Sequence, residues 1–339
     1  MRVQLKDVPQ QVIVITGASS GIGLVTARMA ATRGARLVLV ARNEEALKQL
    51  NAELTGKGAE VTYVVADVGD EAQVRQVAQV AAERFGGFDT WVNNAGVSIF
   101  GRIEDVPLED QRKLFETNFW GVVHGSLVAA EHLKQRGGAI INLGSEVSEV
   151  AMPLQGVYSA SKHAVKGYTD ALRVELEQAG TPISVTLIRP AALDTMYVEH
   201  AKNFMDVEPR LPPPVYAPET AARAILHAAA HPKRDIYVGA AARLGVSGSR
   251  IAPRLTDFLL RTLVYRAQRG ERLKSEPNAG ALYAPGRGMR ERQGLASVVF
   301  ERSLYTQAVT HPKTTVAIGL ALLMGVIWWL VAKPRELTR

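Results

Sequence analysis

The first 240 residues alternate short apolar runs with longer amphipathic stretches. The short runs predict seven strands, at Val12 to Thr16, Arg36 to Val40, Val61 to Ala66, Thr90 to Asn93, Ala139 to Leu143, Ser184 to Ile188 and Asp235 to Val238. The longer stretches predict helices at about residues 22–33, 43–55, 71–84, 108–134, 157–178 and 218–230. Strands that are apolar almost throughout and are separated by helices indicate a parallel sheet covered on both faces. With right-handed crossovers this predicts an α/β doubly wound parallel sheet, whose ligands bind at the carboxyl ends of the strands.

The pattern changes after residue 240, so we expect one domain to span residues 1–240 and a basic extension to span 241–310, next to the membrane span predicted below. The extension holds twelve Lys or Arg against five acidic residues and thus accounts for the whole net charge of +7. Leu255, Phe258 and Leu263 recur in it at helical spacing with arginines between them, which is typical of an interfacial helix attracted to anionic lipid. A solvated charged face is the ordinary alternative. Stacking aromatics are sparse, which disfavours nucleic acid.

An uncharged apolar segment follows, from Thr314 to Ala332, nineteen residues long. At about 1.5 Å per residue it can cross the roughly 30 Å hydrocarbon layer, and Trp328 and Trp329 suit an interface. We therefore predict a single transmembrane helix at 311–333 and a short tail at 334–339, with a buried core helix or an oligomer contact as the alternative.

The compartment is predicted from charge, cysteine content and the N-terminal residues. The chain has no cysteine, which excludes disulfides and thiolate chemistry. Residues 1–10 lack the apolar run of a secretion signal. Because the basic residues before the predicted anchor outnumber those after it, we expect a cytoplasmic catalytic domain on a C-terminal anchor.

A glycine-rich turn joins the first predicted strand to the first predicted helix. Its glycines allow a sharp turn and a close approach to a pyrophosphate, and the helix N-terminus supplies N–H donors. A merely structural turn is the alternative, but the strand before it and the helix after it are the context that a dinucleotide motif requires. The candidate cofactor-binding residues of the turn are Gly17, Ser19, Ser20, Gly21, Ile22 and Gly23.

Arg42 stands at the end of the second strand, where a site specific for NAD usually has Asp or Glu. Since its guanidinium can pair with a 2′-phosphate, the sequence favours NADP(H) over NAD(H). A helix-start arginine in water is the alternative. Asp67, after the third strand, is placed to accept a hydrogen bond from an adenine amino group.

Tyr158 and Lys162 stand four residues apart in a predicted helix, with Ser145 thirteen positions before Tyr158. That spacing puts the phenol and the ammonium on one face, and a cation there favours phenolate over phenol. Reduction of a ketone needs a proton donor, and oxidation of the alcohol needs a base, so Tyr158 is the candidate general acid/base. Ser145 can donate a hydrogen bond to the substrate oxygen. Taken alone, Tyr158 can be a buried aromatic residue and Ser145 a turn residue. The histidines are scattered along the predicted helices and lack the spacing of metal ligands.

With Asn94 and Gly96 in an Asn-Asn-Ala-Gly segment, residues 8–240 resemble the short-chain dehydrogenase/reductase family, in its compact branch with a Tyr-x-x-x-Lys site. The resemblance implies a Rossmann fold. It assigns Gly17, Gly21 and Gly23 to the cofactor loop, Asp67 to the adenine contact, and Asn94 and Gly96 to cofactor binding. It also implies a catalytic tetrad, formed by Asn118, Ser145, Tyr158 and Lys162. It further implies that Asn118 supports a water leading to Lys162, that Lys162 holds the nicotinamide ribose, and that Pro190 to Thr195 closes over the nicotinamide, with Pro190 and Thr195 as cofactor residues. The family often has Pro-Gly where this chain has Pro190-Ala191, which leaves the geometry of that segment open.

These observations support an NADP-dependent oxidoreductase acting on a secondary alcohol or ketone. The substrate loop, about Met196 to Tyr216, is rich in apolar residues, which suits an apolar substrate under a movable lid. A membrane-anchored NADP(H)-binding scaffold or redox sensor is the alternative from another class. A nucleotide-sugar epimerase or dehydratase would need a substrate domain that the basic segment after residue 240 does not resemble. By resemblance we expect a homodimer or homotetramer formed through the helices at 108–134 and 157–178.

Overall fold

The computed structural model describes residues 3–274, 280–294 and 298–310, together with Thr315 and Met324. In these residues seven parallel strands form one sheet, in the order β3-β2-β1-β4-β5-β6-β7. The strands are β1 (Val12–Thr16), β2 (Arg36–Ala41), β3 (Val61–Val65), β4 (Thr90–Asn93), β5 (Gly138–Leu143), β6 (Ile183–Pro190) and β7 (Asp235–Val238). The predicted doubly wound parallel sheet is confirmed. Its strand order reverses between β1 and β4, which is where such sheets bind ligands.

The helices before β7 cover the two faces of this sheet. They are α1 (Gly21–Thr32), α2 (Glu44–Gly56), α3 (Glu71–Phe85), α4 (Leu108–Phe115), α5 (Gly121–Arg136), α6 (Gly156–Gln178), the short α7 (Tyr197–His200) and α8 (Pro218–Ala230). Single 3-10 turns lie at Val8–Gln10, Ile103–Asp105 and Glu146–Ser148. The sequence placed most of these helices within two residues of their observed ends.

Alternate residues of each strand pack on opposite faces of the sheet. In β1, Ile13 and Ile15 join a cluster with Leu24 of α1, whereas Val14 joins another with Val77 of α3. Every residue of β1 is buried, which explains why its sequence is apolar without alternation. Burial of each large aliphatic side chain contributes about 1.5–3 kcal/mol, so these two layers hold the strand ends in fixed positions.

The helix predicted at 108–134 is interrupted by one π turn, Glu116–Trp120, between α4 and α5. The wider turn adds a residue without ending the helix, and such turns are frequent at functional sites. It carries Asn118, which is fully buried. Apolar periodicity could not reveal it because the residues on either side remain helical.

After β7 the chain packs back onto the domain instead of leaving it. It forms α9 (Ala240–Ile251), α10 (Pro253–Leu259), a π turn (Leu260–Val264), α11 (Tyr265–Ala267) and, later, α12 (Leu304–Thr310). A strand at Arg269–Leu273 pairs antiparallel with Val207–Pro209, and Val299–Phe300 pairs parallel with Val215–Tyr216. Ile99–Phe100 likewise pairs with Lys202–Asn203. The predicted substrate loop is thus held by three short strand pairs.

Parts of the basic extension belong to the protein interior. Val246 packs in the same cluster as the sheet, and Ala281 and Leu282 are buried beside Val157 of α6. The predicted interfacial helix corresponds to α10 and the turns after it, where Leu255, Phe258 and Leu263 are exposed. This segment therefore packs on the domain through partly buried residues, among them Leu260 and Tyr265, and exposes an apolar side.

Within the described residues, no helix combines the length and the apolar character needed to cross a bilayer. The transmembrane helix predicted at 311–333 lies outside the described residues, apart from Thr315 and Met324. It stays a prediction.

Candidate functional site

The glycine-rich turn after β1 forms a cradle at the switch point of the sheet. Gly17 and Gly21 have positive φ angles of 68° and 50°. A Cβ on Gly23 would lie 2.1 Å from the Gly17 carbonyl oxygen, so this approach of helix and turn requires glycine. Ser20 begins α1 without capping it through its side chain. The N–H groups of the first turn are thus available at the cavity, apart from that of Gly21, which has another partner.

Asn94 ties this cradle to β4. Its side-chain amide donates to the Thr16 carbonyl at 2.8 Å, and its main-chain N–H donates to the Thr16 hydroxyl at 3.0 Å. Gly96 follows at the cavity wall, where a Cβ would lie 3.4 Å from Asn118 Oδ1. The Asn-Asn-Ala-Gly segment therefore braces the cofactor turn as well as lining the cavity.

Arg42 and Asp67 lie together at the ends of β2 and β3. Arg42 is 4.0 Å from the Asp67 carboxylate, whose other neighbour is Lys113 at 3.4 Å. The Arg42 guanidinium also donates to the carbonyls of Ala281, Leu282 and Ala284, the last two at 3.3 Å. The structure thus gives Arg42 a structural role that the sequence did not indicate, because its partners lie some 240 positions later.

The end of β6 closes the other side of the cavity. Pro190 lines it, and Thr195 reaches the cradle, since its Cβ would be 3.2 Å from a Cβ on Gly21. Ala191 donates its N–H to Val238 at 2.9 Å. Among the described residues the non-glycines with positive φ are Leu154 and Met289, so Ala191 needs no conformation that only glycine adopts easily. The departure from Pro-Gly is therefore accommodated without backbone strain.

Ser145 lies at the end of β5, where it caps the turn Glu146–Ser148. Its hydroxyl accepts from the Val147 N–H at 3.3 Å, and its own N–H donates to Ser148 Oγ at 3.1 Å. The same hydroxyl lies close enough to the Tyr158 hydroxyl to lower the pKa of that phenol, against the larger effect of burial. Ser145 is both a turn cap and a member of the polar cluster.

Tyr158 and Lys162 share one face of α6, as predicted. The Lys162 ammonium lies 5.8 Å from the centre of the Tyr158 ring and donates to the Leu143 carbonyl at 2.8 Å. Burial raises the pKa of Tyr158 to about 12, against hydrogen bonds with Ser145 and Tyr197 that lower it. Burial also lowers the pKa of Lys162 to about 8. The sequence predicted that Lys162 lowers the pKa of Tyr158. In the structure burial raises that pKa instead, so the phenol is protonated at neutral pH.

Asn118 lies behind this cluster rather than in the cavity wall. Its side chain donates to the Val97 carbonyl at 2.9 Å and to Ser161 Oγ at 3.1 Å, and accepts from the Val97 N–H at 2.8 Å. Its contacts fix the strand end beside Gly96 and the helix residue next to Lys162. The water that the resemblance implies between Asn118 and Lys162 stays a prediction.

Two further polar residues face the same cavity. Tyr197, which the sequence placed only in an apolar substrate loop, has its ring 5.4 Å from that of Tyr158 and donates to Gln155 Oε1 at 2.6 Å. Glu146 lines the cavity directly after Ser145. Its position beside a predicted catalytic serine was the one signal that could have singled it out.

A segment that we call the strap, residues 280–294, lies across the cradle. Its Met289 N–H donates to the Ser19 carbonyl at 2.8 Å, and its Arg290 carbonyl accepts from the Gly21 N–H at 3.0 Å. Asn43 donates to the Gly286 carbonyl at 3.0 Å. With its small and turn-forming residues, the strap gave no sequence signal beyond loop composition.

The donor set and the shape of the cavity fit a dinucleotide. Gly17 and Gly23 leave room that any Cβ would fill, and the uncapped start of α1 offers N–H groups to a pyrophosphate. The cavity runs from Arg42 and Asp67 past the cradle to Tyr158 and Lys162. An adenosine end at Arg42 and a nicotinamide end at Tyr158 are consistent with this layout.

Comparisons of sequence agree with the geometry. A family model described as short chain dehydrogenase matches residues 11–205. An uncharacterized oxidoreductase of Bacillus subtilis, YxnA, is 46% identical over 335 residues, which cover 98% of this chain and 93% of the relative. A Sesamum indicum protein named 11-beta-hydroxysteroid dehydrogenase A is 33% identical over 277 residues, 78% of each chain.

Solved structures give the same result. A short chain dehydrogenase from Burkholderia cenocepacia in complex with NADP matches with a TM-score of 0.63 at 27% identity, over 76% of this chain and 99% of its own. An alcohol dehydrogenase from Thermococcus sibiricus, complexed with 5-hydroxy-NADP, matches with a TM-score of 0.59 at 28% identity, over 67% and 95% of the two chains. From its sheet, its cofactor cradle, its Ser-Tyr-Lys cluster and these relatives, the chain belongs to the short-chain dehydrogenase/reductase family of oxidoreductases.

Proposed function

We propose that this oxidoreductase transfers a hydride between NADP(H) and an apolar secondary alcohol or ketone. The observation that carries the proposal is the convergence of Ser145, Tyr158 and Lys162 on one cavity that continues to the glycine cradle. A protein that only stores or senses a dinucleotide has no need of a proton donor at the nicotinamide end.

Ser145, Tyr158 and Lys162 have separate roles in the proposed reaction. Ser145 donates a hydrogen bond to the substrate oxygen, and Tyr158 exchanges a proton with that oxygen. Lys162 holds its positive charge behind the phenol and presents its ammonium to the nicotinamide ribose. Bound NADP(H) supplies or accepts the hydride. Since burial raises the pKa of Tyr158 to about 12, the resting site presents a protonated phenol, which suits reduction of a ketone.

The substrate end of the cavity supports an apolar substrate. Met152, Leu193, Met196 and Leu211 line the cavity that holds Tyr158, and the polar residues Gln155 and Gln268 line it as well. Such walls favour apolar ligands oriented by a few polar contacts.

NADPH oxidation by the full chain, across a panel of apolar ketones, tests the reaction. Tyr158→Phe is expected to lower kcat at least about 100-fold, the scale of lost proton transfer. Tyr168→Phe is a matched control on the same helix, because the Tyr168 hydroxyl is buried without a hydrogen-bond partner among the described residues. Turnover that survives Tyr158→Phe would refute the assigned role. Tight NADPH binding without turnover on any ketone would favour the scaffold or sensor alternative.

The preference for NADP(H) rests on Arg42. Its cation stands beside the cavity end that Asp67 and the cradle form, where a 2′-phosphate would meet it. Arg42→Ala is expected to lower kcat/KM for NADPH about tenfold or more while NADH changes little, as loss of one charge-assisted contact predicts. Equal losses with both cofactors would show that Arg42 serves only to hold the strap.

We also propose that the chain associates with a membrane through two parts of the chain. One is the apolar segment from Thr314 to Ala332. The other is the exposed stripe on α9 and α10 and the π turn, where Ile251 is 84% exposed, Leu255 57%, Phe258 52% and Leu263 62%. Arg254 and Arg261 flank the stripe, as interfacial helices require. The same segment continues to Gln268, which lines the cavity, and this supports entry of an apolar substrate from the membrane side.

Flotation with vesicles of phosphatidylcholine and phosphatidylglycerol separates the two parts. The full chain is expected to float, and a chain without residues 312–339 is expected to bind weakly and to be released by salt. In that shorter chain, Leu255, Phe258 and Leu263 changed together to Ser should abolish the remaining binding. A full chain that stays with the soluble fraction would refute the proposed membrane association. For the anchored protein we propose that the catalytic domain lies on the cytoplasmic side of the membrane.

We further propose a homodimer or homotetramer built on α5 and α6. Leu127 and Val174 project from these helices and are 51% and 57% exposed. Large apolar side chains grouped on neighbouring helices are common at such contacts.

A further inference from the structure

Glu146 is the feature of the cavity that the proposed reaction leaves without a task. It is the first residue of the turn that Ser145 caps, and Val147 and Ser148 behind it are buried. The turn is held by two hydrogen bonds between Ser145 and its successors. The backbone of Glu146 is therefore held next to the serine that addresses the reacting oxygen, and the residue lines the cavity.

Its carboxylate has neither a cation nor a hydrogen-bond donor within reach in the parts of the chain that the structure describes. Glu149, three residues later, shows the usual arrangement, since it pairs with Arg189 and Arg250 and accepts from the Tyr237 hydroxyl at 3.1 Å. Burial without a partner raises the pKa of Glu146 to about 7. A buried carboxyl that is left unpaired costs free energy, and such groups cluster at functional sites.

The surroundings show what the carboxyl group faces. Glu146, Tyr158 and Tyr197 all line this cavity, and burial, with a smaller contribution from Glu146, raises the pKa of both tyrosines. Tyr197 is already engaged, accepting from Ser98 Oγ at 2.7 Å and donating to Gln155. Gln155 is bonded in turn to Gln268. Tyr197 thus positions the wall, while Glu146 keeps its acceptor capacity for a ligand.

We propose that Glu146 binds a hydroxyl group that the substrate carries close to its reacting carbon, which makes a hydroxyketone, or the corresponding diol, the preferred substrate class. This inference rests on the proposed hydride-transfer function and narrows it. A hydroxyl donor satisfies the carboxyl group in either of its protonation states. A substrate carboxylate or phosphate would be repelled, and a substrate ammonium would meet the charge of the buried Lys162 nearby.

Matched ketones test the inference with NADPH and the full chain. The probes are 1-hydroxy-2-octanone and 1-methoxy-2-octanone, with 2-hydroxyacetophenone and 2-methoxyacetophenone as an aromatic pair. Hydroxy and methoxy groups withdraw electrons to a similar extent, but only the hydroxyl donates a hydrogen bond. We expect kcat/KM to favour the hydroxyketone about 10- to 100-fold, because a site built for a hydroxyl rejects the analogue that lacks it.

Variants of Glu146 connect that preference with the carboxyl group. In Glu146→Leu the ratio of kcat/KM values is expected to fall close to one through loss on the hydroxyketone, and Glu146→Gln, which keeps an acceptor, should retain part of it. Glu177→Leu, at an exposed position of α6, is the matched control and should keep the wild-type ratio. A second readout is binding of 1,2-octanediol and 1-methoxy-2-octanol to the NADP-loaded chain by calorimetry, in which Glu146→Leu should weaken only the diol.

The outcomes are distinct. If wild type reduces both ketones equally, or if the ratio survives in Glu146→Leu, the hydroxyl subsite is wrong while the proposed function stands. Preference for 1-amino-2-octanone over the hydroxyketone would overturn it in favour of a cation site. Absence of turnover with every ketone, together with NADPH binding, would instead refute the proposed function. Diol binding that depends on Glu146 in that case would still support the subsite.

Discussion

Lys162 is 4% exposed, and its ammonium has one hydrogen bond, to the Leu143 carbonyl at 2.8 Å. In the described chain no carboxylate pairs with it. Burying this ammonium without a carboxylate costs free energy, and burial accordingly lowers the pKa of Lys162 to about 8. At the scale of single residues, the site therefore stores unfavourable free energy, which a bound cofactor would relieve if its ribose accepted hydrogen bonds from Lys162.

Lys162→Met should stabilise the chain without cofactor while abolishing turnover. Because the folded-state pKa is lowered, the penalty is fully present below pH 8 and fades as the pH rises towards the unfolded value. We expect a gain of about 2 kcal/mol in the free energy of unfolding at pH 7, after loss of one hydrogen bond. Urea unfolding at pH 7 and pH 10 measures it.

Lys166→Met is the matched control for that measurement. Lys166 lies one turn further along α6 and forms an ion pair with Asp170 at 2.8 Å. A partly exposed pair of this kind contributes about 0–1 kcal/mol, so its loss should not stabilise. A Lys162→Met chain that is less stable than wild type at pH 7 would show that the ammonium is satisfied in a way the structure does not indicate.

Glu146→Gln should change the pH dependence of stability in the opposite direction. Burial raises the pKa of Glu146 to about 7, so its folded-state penalty is absent below about pH 4.5 and grows as the pH rises to 7. We expect wild type and variant to be similar near pH 4.5 and the variant to be more stable by about 1–3 kcal/mol at pH 8.5. Thermal unfolding across that range, with the exposed Glu177→Gln as control, tests it. A difference independent of pH would contradict the assignment.

The strap is the element that distinguishes this cavity from a plain doubly wound sheet. It contacts the cradle, Asn43 and Arg42 through backbone groups, so its position depends on shape more than on side-chain identity. Gly288 is the tightest point, since a Cβ there would lie 2.2 Å from the Ala46 Cβ. At this scale a side chain at residue 288 must displace the strap.

Gly288→Val should therefore speed the release of NADPH, by about tenfold if the strap contributes about 1.4 kcal/mol to retention. Stopped-flow displacement of bound NADPH measures the rate. Gly245→Val is the control, because nothing lies within 4 Å of a Cβ at Gly245. Slower release or tighter binding in Gly288→Val would mean that the strap competes with the cofactor instead of covering it.

The elements of the sheet could be predicted from sequence because each strand is buried on both faces and each helix has one apolar side. The turn at Thr16 and the pair Tyr158 and Lys162 were accessible for a related reason, since their chemistry depends on local spacing. The strap and the contacts of Arg42 were not. They join residues far apart in the chain through backbone groups, which leave no trace in composition or periodicity.

At the scale of the whole molecule, two groups of exposed large apolar side chains among the described residues bear on association. One is the stripe on α10, and the other is formed by Trp120, Leu127 and Val174 on the long helices. The sequence placed the first by its helical spacing. The second group could be expected only from the family resemblance, which predicted a contact between subunits there. The exposure of its side chains depends on which helices cover which face of the sheet.

Leu127→Arg combined with Val174→Arg should lower the mass of the particle towards that of one chain, since two charges in an apolar contact cost several kcal/mol. Light scattering, corrected for bound detergent, measures that mass. Leu304→Arg is the control, because Leu304 is 84% exposed and lies on α12. If wild type already has the mass of one chain, the proposed contact between α5 and α6 helices is wrong.

The strap also determines at which stage of protein synthesis the cofactor cradle can be completed. The cradle at residues 16–23 leaves the ribosome early, whereas the carbonyl that meets Gly21 belongs to Arg290. A nascent chain that has reached residue 240 already holds all seven strands of the sheet, yet its cofactor end is still open on one side. Contacts this distant in sequence form late, because the intervening chain must close first. A dinucleotide held under the strap thus marks a chain whose synthesis has reached its C-terminal region, and a truncation between residues 240 and 280 keeps all seven strands but removes the strap that covers the cradle.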